Sequence, residues 1–216
     1  MDPQIVAKQT EQYIQTVLKS DKGILNDLRA FAEENCVPII SLEVKKLLEV
    51  ILLQSPRARI LEIGTAIGYS SIFFAKTMTS QVHIDTIEVD SDMVVTARAN
   101  IKAADLDSAI NVICGDALEV LPCLTEQYDM VFVDGPKAKY IEMLPDCMRL
   151  LKNGGMLVTD NILYRGFVAT PDSRIPQQRR SLVRNLREYI RFLCSSEELV
   201  TSIIPIGDGL SISIKR

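Results

Sequence analysis

Tryptophan is absent from this 216-residue sequence, and histidine occurs once, at His83. A single imidazole leaves no room for a multi-histidine metal site. His83 adjoins the apolar run Ile84 to Val89 and reads as a strand residue without a catalytic role, which removes Ser-His-Asp and Cys-His pairings as well. Any metal must therefore be held by oxygen. The cysteines, Cys36, Cys114, Cys123, Cys147 and Cys194, are odd in number and contain no C-x-x-C pair. That argues against zinc or a disulfide framework and predicts reduced thiols buried as small apolar residues. No apolar run approaches the ~20 residues of a membrane span. Met1-Asp2-Pro3-Gln4 has no basic stretch followed by an apolar run, so no signal peptide is read and the expected location is cytoplasmic. The net charge of −4 argues against general coating of nucleic acid, though not against a local basic patch.

What is present is an ordinary globular composition, 47% hydrophobic and 24% charged, long enough for one α/β domain over residues 1–216. Helical spacing of Val6, Tyr13, Val17 and Leu18, and then of Leu25, Leu28, Phe31 and Ala32, predicts two helices. Pro38 interrupts, and Ser41 is placed to cap a third helix through Leu42, Leu48 and Leu52. These make a helical extension, 1–57, packed on the main sheet. From Arg59 onward short apolar runs alternate with helical stretches. Strands are predicted at Arg59–Ile63, Val82–Val89, Ile110–Cys114, Asp129–Val133 and Met156–Thr159, the last following an Asn153-Gly154-Gly155 turn. Repeated β-α-β units with buried strands mean a parallel sheet covered on both faces. The runs Leu199–Ile204 and Leu210–Ile214, joined by only Pro205 to Gly209, predict an antiparallel hairpin at the end.

Two groups of residues carry chemistry. Leu61-Glu62-Ile63-Gly64-Thr65-Ala66-Ile67-Gly68 is a strand-to-helix turn with G-x-x-x-G spacing rather than the G-x-G-x-x-G of dinucleotide enzymes. Glu88 closes the second strand, where a carboxylate can accept both hydroxyls of a ribose, and Gly115-Asp116-Ala117 offers an adenine contact. Asp134 ends the fourth strand and Asp160-Asn161 the fifth, at the carboxyl edge where open α/β sheets bind ligands. Two carboxylates and an amide oxygen form a hard-oxygen set for Mg²⁺ or Ca²⁺.

Together Leu61–Ser70, Ile87–Asp90, Gly115–Ala117, Val133–Lys137 and Thr159–Asn161 resemble the cation-dependent O-methyltransferases, the group of catechol and caffeoyl-CoA methyltransferases. The resemblance implies the class I methyltransferase (Rossmann-like) fold: a seven-stranded sheet with its last strand antiparallel, helices on both faces and N-terminal helices added. It implies S-adenosylmethionine as methyl donor, contacted by Glu62, Gly64, Ser70, Glu88, Asp116, Ala117 and Asp134. It further implies Mg²⁺ or another divalent cation on Asp134, Asp160 and Asn161, with Lys137 as the catalytic lysine. Narrower stretches, Cys36–Ile40, Arg180–Tyr189 and Pro205–Ser213, resemble the bacterial tRNA 5-hydroxyuridine methyltransferases. That match implies Ile40 at the cofactor and methylation of the 5-hydroxyl at the wobble uridine.

A catechol and 5-hydroxyuracil each offer two adjacent oxygens that can chelate one metal ion. Lys137 is placed to take the hydroxyl proton, the alternative being a solvated lysine with the metal acting alone. Arg180, Arg184, Arg187 and Arg191 recur on one helix face, opposite Leu182, Leu186, Tyr189, Ile190 and Leu193. That stripe suits phosphates of an anticodon arm, with a solvated face or a dimer contact as competing readings. The expected partners are tRNA and a second copy of the chain, with no membrane. A small-molecule catechol is the alternative substrate, weakly disfavoured by the arginine stripe and the missing tryptophan.

Overall fold

A computed structural model describes residues 5–55, 58–78 and 81–216. Met1 to Gln4, read above for a leader, lie outside the described residues, as do residues 56–57 at the end of the helical extension. The order is α1 (Lys8–Val17), α2 (Ile24–Glu34), α3 (Leu42–Gln54), β1 (Arg59–Ile63), α4 (Tyr69–Thr77), β2 (His83–Glu88), α5 (Ser91–Ala103), β3 (Ile110–Cys114) and α6 (Ala117–Val120). There follow β4 (Tyr128–Val133), α7 (Tyr140–Leu150), β5 (Leu151–Thr159), α8 (Arg180–Ser195), β6 (Leu199–Ile204) and β7 (Leu210–Lys215). Among the described residues these strands form one seven-stranded sheet in the order β3-β2-β1-β4-β5-β7-β6. The chain groups into two compact units, residues 17–124 and residues 1–16 with 125–216.

In the first unit β1, β2 and β3 are parallel, with Ile63 opposite Ile87 and Glu88 opposite Cys114. Ile60, Leu61 and Ile63 are all but fully buried, the mark of a strand covered on both faces. Helices α2 and α3 pack against α4. Ser41 does cap α3, its Oγ accepting from Val44 N at 3.3 Å. Beneath lies a charged knot: the Asp21 carboxylate accepts from Arg29 Nε at 2.7 Å, Lys45 Nζ at 2.6 Å and the Tyr69 hydroxyl at 2.5 Å. Burial alone would raise the Asp21 carboxyl, but hydrogen bonds from Lys45, Tyr69 and Arg29 outweigh it and hold it below its ordinary range. Asp21→Ala leaves the buried Lys45 ammonium without its carboxylate. It should cost roughly 2–3 kcal/mol, less than the usual penalty because Arg29 is partly solvated. A depressed carboxyl stabilises above its unfolded pKa and ceases to as pH falls through the folded one. Urea melts should therefore show the gap between wild type and variant at pH 7 and its narrowing in strong acid.

In the second unit β4 and β5 are parallel and β7 runs antiparallel to both β5 and β6, as the terminal hairpin predicts. Strand β5 begins earlier than expected. Tyr128 pairs with Leu151 and Met130 with Met156, so the Asn153-Gly154-Gly155 turn bulges out of the ladder instead of preceding it. Gly154 has φ +75°, and a Cβ on Gly155 would stand 2.6 Å from Lys152 O. One expectation about cysteine is corrected. Cys147 is buried, but Cys36, Cys114, Cys123 and Cys194 are exposed, because each falls on a loop, a strand end or a helix's outer face.

Candidate functional site

The cofactor candidates of the first unit gather at the carboxyl ends of β1 and β2. Chain reversal after Ile63 uses Gly64 at φ +102° and Gly68 at φ +82°, both in the region glycine tolerates. At Gly68 a Cβ would also reach Ala97 at 3.6 Å. Glu88 fixes this turn. Its Oε2 accepts from Ala66 N at 2.9 Å and its Oε1 from Asp90 N at 3.0 Å. Each oxygen has a further lone pair, so the carboxylate can still accept ribose hydroxyls.

Glu62 is fully buried, its Oε2 accepting from Thr86 Oγ1 at 2.6 Å and from Ser71 Oγ. Its Oε1 has no hydrogen-bond partner among the described residues, an open acceptor that suits a ligand's N–H or ammonium. Burial pushes the Glu62 carboxyl up, hydroxyls of Ser70, Ser71 and Thr86 oppose this, and Glu88's charge adds to the rise. Ile40 is buried just before the α3 cap. Asp116 contributes locally: its Oδ1 caps α6 by accepting from Leu118 N at 2.9 Å, with Ala117 buried behind it. The sequence reading had no helix there, because a four-residue helix carries no period.

In the second unit the ends of β4 and β5 bring together the residues read as metal ligands. Asp160 N continues the ladder to Val133 O at 3.0 Å. Asn161 stands at φ +62°, a left-handed conformation that Asn adopts more readily than most residues. Its Nδ2 donates to Asp134 Oδ1 at 2.8 Å, and its backbone N to Asp160 Oδ1 at 2.7 Å. Asp160 is only 4% exposed. Its carboxyl is pushed up by burial and by the charge of Asp134, against the backbone N–H of Asn161 and the ammonium of Lys137. Two neighbouring carboxylates that disfavour each other's charge, beside an amide that carries an acceptor oxygen, fit a hard divalent cation well.

Two residues missed in the sequence reading belong here. The Tyr140 hydroxyl reaches the carbonyls of Asp160 at 3.2 Å and Gly135 at 3.3 Å, bracing both strand ends. Asp208, read only as part of the hairpin turn, raises the carboxyl of Asp160 and feels the charge of Lys137. Half-buried Lys137 lies close enough to Asp160 and Asp208 to act on both carboxyls, while Lys139 pairs with Glu142 at 3.1 Å.

The arginine stripe divides. Arg187 is half-buried and tied to the preceding loop, its Nε donating to Val168 O at 2.9 Å and its other nitrogens to Thr170 O and the Asp172 carboxylate. Arg180 Nε donates to Ile175 O at 3.1 Å. Arg184 and Arg191 are exposed, opposite buried Val183, Leu186, Tyr189 and Leu193. A helical wheel cannot show that a loop folds over one part of the polar face.

Comparison with known proteins agrees with this architecture. The O-methyltransferase family pattern matches residues 15–216. The chain is 30% identical to a catechol O-methyltransferase of Niastella koreensis over 98% of both chains. It is 26% identical to a caffeoyl-CoA O-methyltransferase of Stellaria longipes over 95% of this chain and 89% of that one. A Staphylococcus aureus crystal structure, described as a candidate caffeoyl-CoA O-methyltransferase, superposes with TM-score 0.89 at 33% identity, covering 97% of this chain and 100% of that one. TomG from Streptomyces achromogenes, an O-methyltransferase solved with S-adenosylmethionine, gives TM-score 0.82 at 26% identity over 96% of each chain. A sheet of this order, a glycine turn closed by Glu88 and the family match over most of the length lead to one assignment: the chain belongs to the O-methyltransferase family.

Proposed function

We propose that this protein methylates the 5-hydroxyl of 5-hydroxyuridine at the tRNA wobble position to give 5-methoxyuridine, with a divalent metal, Mg²⁺ by preference, on Asp134, Asp160 and Asn161. Family membership makes it an S-adenosylmethionine-dependent O-methyltransferase; the acceptor and the metal are the proposal. The observation that carries the metal is the Asn161 amide on Asp134 at 2.8 Å, beside a buried Asp160. Asp134, Asp160 and Asn161 would hold the dication, which would supply Lewis acidity to the acceptor's hydroxyl. Glu88 accepts the donor's ribose hydroxyls, and the open Oε1 of Glu62 accepts a further N–H. In its neutral amine form Lys137 takes the acceptor's proton as the new O–CH₃ bond forms and the sulfonium C–S bond breaks, leaving a neutral thioether and a lysine ammonium.

The exposed Arg184 and Arg191 favour a polyanionic acceptor. The double variant Arg184→Ala/Arg191→Ala should raise the tRNA KM about fivefold with kcat nearly unchanged, the signature of lost uniform binding. The slope of log affinity against log salt should flatten by about 1.5. Turnover of free 5-hydroxyuridine should not respond. Arg187 is a poor choice for this test, since its loss also frees the 168–172 loop. Initial rates across a salt series decide the matter. An unchanged tRNA KM and salt slope would remove the stripe from recognition. Efficient catechol turnover without tRNA methylation would make a small phenol the acceptor.

A further inference from the structure

We propose that Asp208 is a positioning residue for the metal-ligating end of β5, clamping the segment after Asn161 from the β6–β7 turn. The inference rests on the reading that Asp134, Asp160 and Asn161 hold a divalent cation. Immediately after Thr159 the chain leaves the sheet through an unusual run: Asn161, Tyr164 and Arg165 all have positive φ, at 62°, 44° and 53°, as does Gly166 at 79°. Non-glycine residues persist in that region only where their surroundings over-determine them. Here the surroundings are the hairpin turn. Ile162 N donates to Gly209 O at 2.9 Å, Leu163 N to Asp208 O at 3.0 Å, and Arg165 N to the Asp208 carboxylate. Gly209, at φ +89°, lets Leu163 lie so close that a Cβ would stand 2.3 Å from Leu163 Cγ.

Three hydrogen bonds and one glycine contact therefore strap residues 162–165 to residues 208–209. The side-chain arm of that strap, from Asp208 to Arg165 N, closes on a left-handed residue four positions beyond the Asn161 ligand. Because the run is short, releasing its far end lets Asn161 relax towards ordinary φ and swing its amide off Asp134. Outer contacts of this kind commonly alter metal affinity 10–100-fold.

The test is Mn²⁺ binding to the full chain loaded with S-adenosylmethionine, followed by the electron paramagnetic resonance of free Mn²⁺. Asp208→Ala should raise the Mn²⁺ dissociation constant about tenfold. Asp208→Asn keeps an acceptor for Arg165 N while removing the charge, and should stay within about threefold of wild type. Gly209→Ala, which breaks the strap from its other side, should match Asp208→Ala. Circular dichroism and thermal melts establish that each variant is folded, and the Asn and Gly209 arms decide the matter if the alanine variant is not. Equal loss in Asp208→Asn and Asp208→Ala would mean that charge acts and the clamp does not, overturning the proposal. Wild-type affinity in both Asp208→Ala and Gly209→Ala would overturn it too. A wild type that binds no Mn²⁺ would instead sink the metal reading beneath it.

Discussion

Replacing Asp160 by alanine should lower methyl transfer on the order of 10³-fold, about 4 kcal/mol of transition-state stabilisation, while S-adenosylmethionine binding stays within about threefold. The size follows from how little else could substitute. Asp160 is 4% exposed, so water has poor access to fill its place. Of its two partners in the proposed site, Asp134 would keep one charge and Asn161 none. Losing the carboxylate also removes the acceptor that Asn161 N uses at 2.7 Å, loosening the next ligand in the chain. The donor should be spared because its proposed contacts Glu62, Glu88, Asp116 and Ile40 are not among the groups that act on the Asp160 carboxyl. Stability should move the opposite way to activity. Burial and the charge of Asp134 both disfavour an ionised Asp160, so Asp160→Asn should melt no lower than metal-free wild type. Adding Mg²⁺ should raise the melting temperature of wild type but not of this variant. Full wild-type turnover in chelator, with residual metal checked by elemental analysis, would take metal out of the mechanism.

The same residues show what a sequence can and cannot disclose. Asp134, Asp160 and Asn161 were legible because each ends a strand, and the β-α-β rhythm fixes which ends share an edge. Gly64, Gly68 and Glu88 were legible for a similar reason: one strand, one turn and the next strand's end. The parallel pairing of the early strands and the terminal hairpin came from the same alternation. What escaped was tertiary. Nothing local tells that Asp208, 43 residues beyond Arg165, accepts its N–H, or that the hydroxyl of Tyr140, which opens α7, reaches Asp160 O. Arg187 sits at a polar wheel position, yet backbone carbonyls of Val168 and Thr170 claim it. Strand β5 began early because a Gly-Gly turn can bulge within a ladder as well as precede one.

Glu88→Ala should weaken S-adenosylmethionine binding about 10²-fold, close to 3 kcal/mol, because hydrogen bonds to a charged acceptor contribute roughly 1.5–3 kcal/mol each. Part of that loss comes from the protein itself. Oε2 of Glu88 accepts from Ala66 N at 2.9 Å, and Ala66 is held at φ +45°, outside the comfortable region for a residue with a Cβ. Without the carboxylate the glycine turn loses its anchor, so alanine removes a ligand contact and the shape of the loop together. Glu88→Gln separates these contributions. The amide oxygen can accept from Ala66 N or Asp90 N but not both, since its other end is a donor facing a donor. It should therefore fall between wild type and alanine, near tenfold. S-adenosylhomocysteine and methylthioadenosine provide the control. Both keep the ribose, and the second lacks the amino-acid arm, so both should weaken by the same factor as the methyl donor if the contact is to the ribose hydroxyls. Isothermal titration of the three ligands against wild type and both variants measures this directly. A folded Glu88→Ala protein that binds all three within twofold of wild type would place the ribose elsewhere. A loss confined to ligands with the amino-acid arm would move Glu88's role to that end of the cofactor.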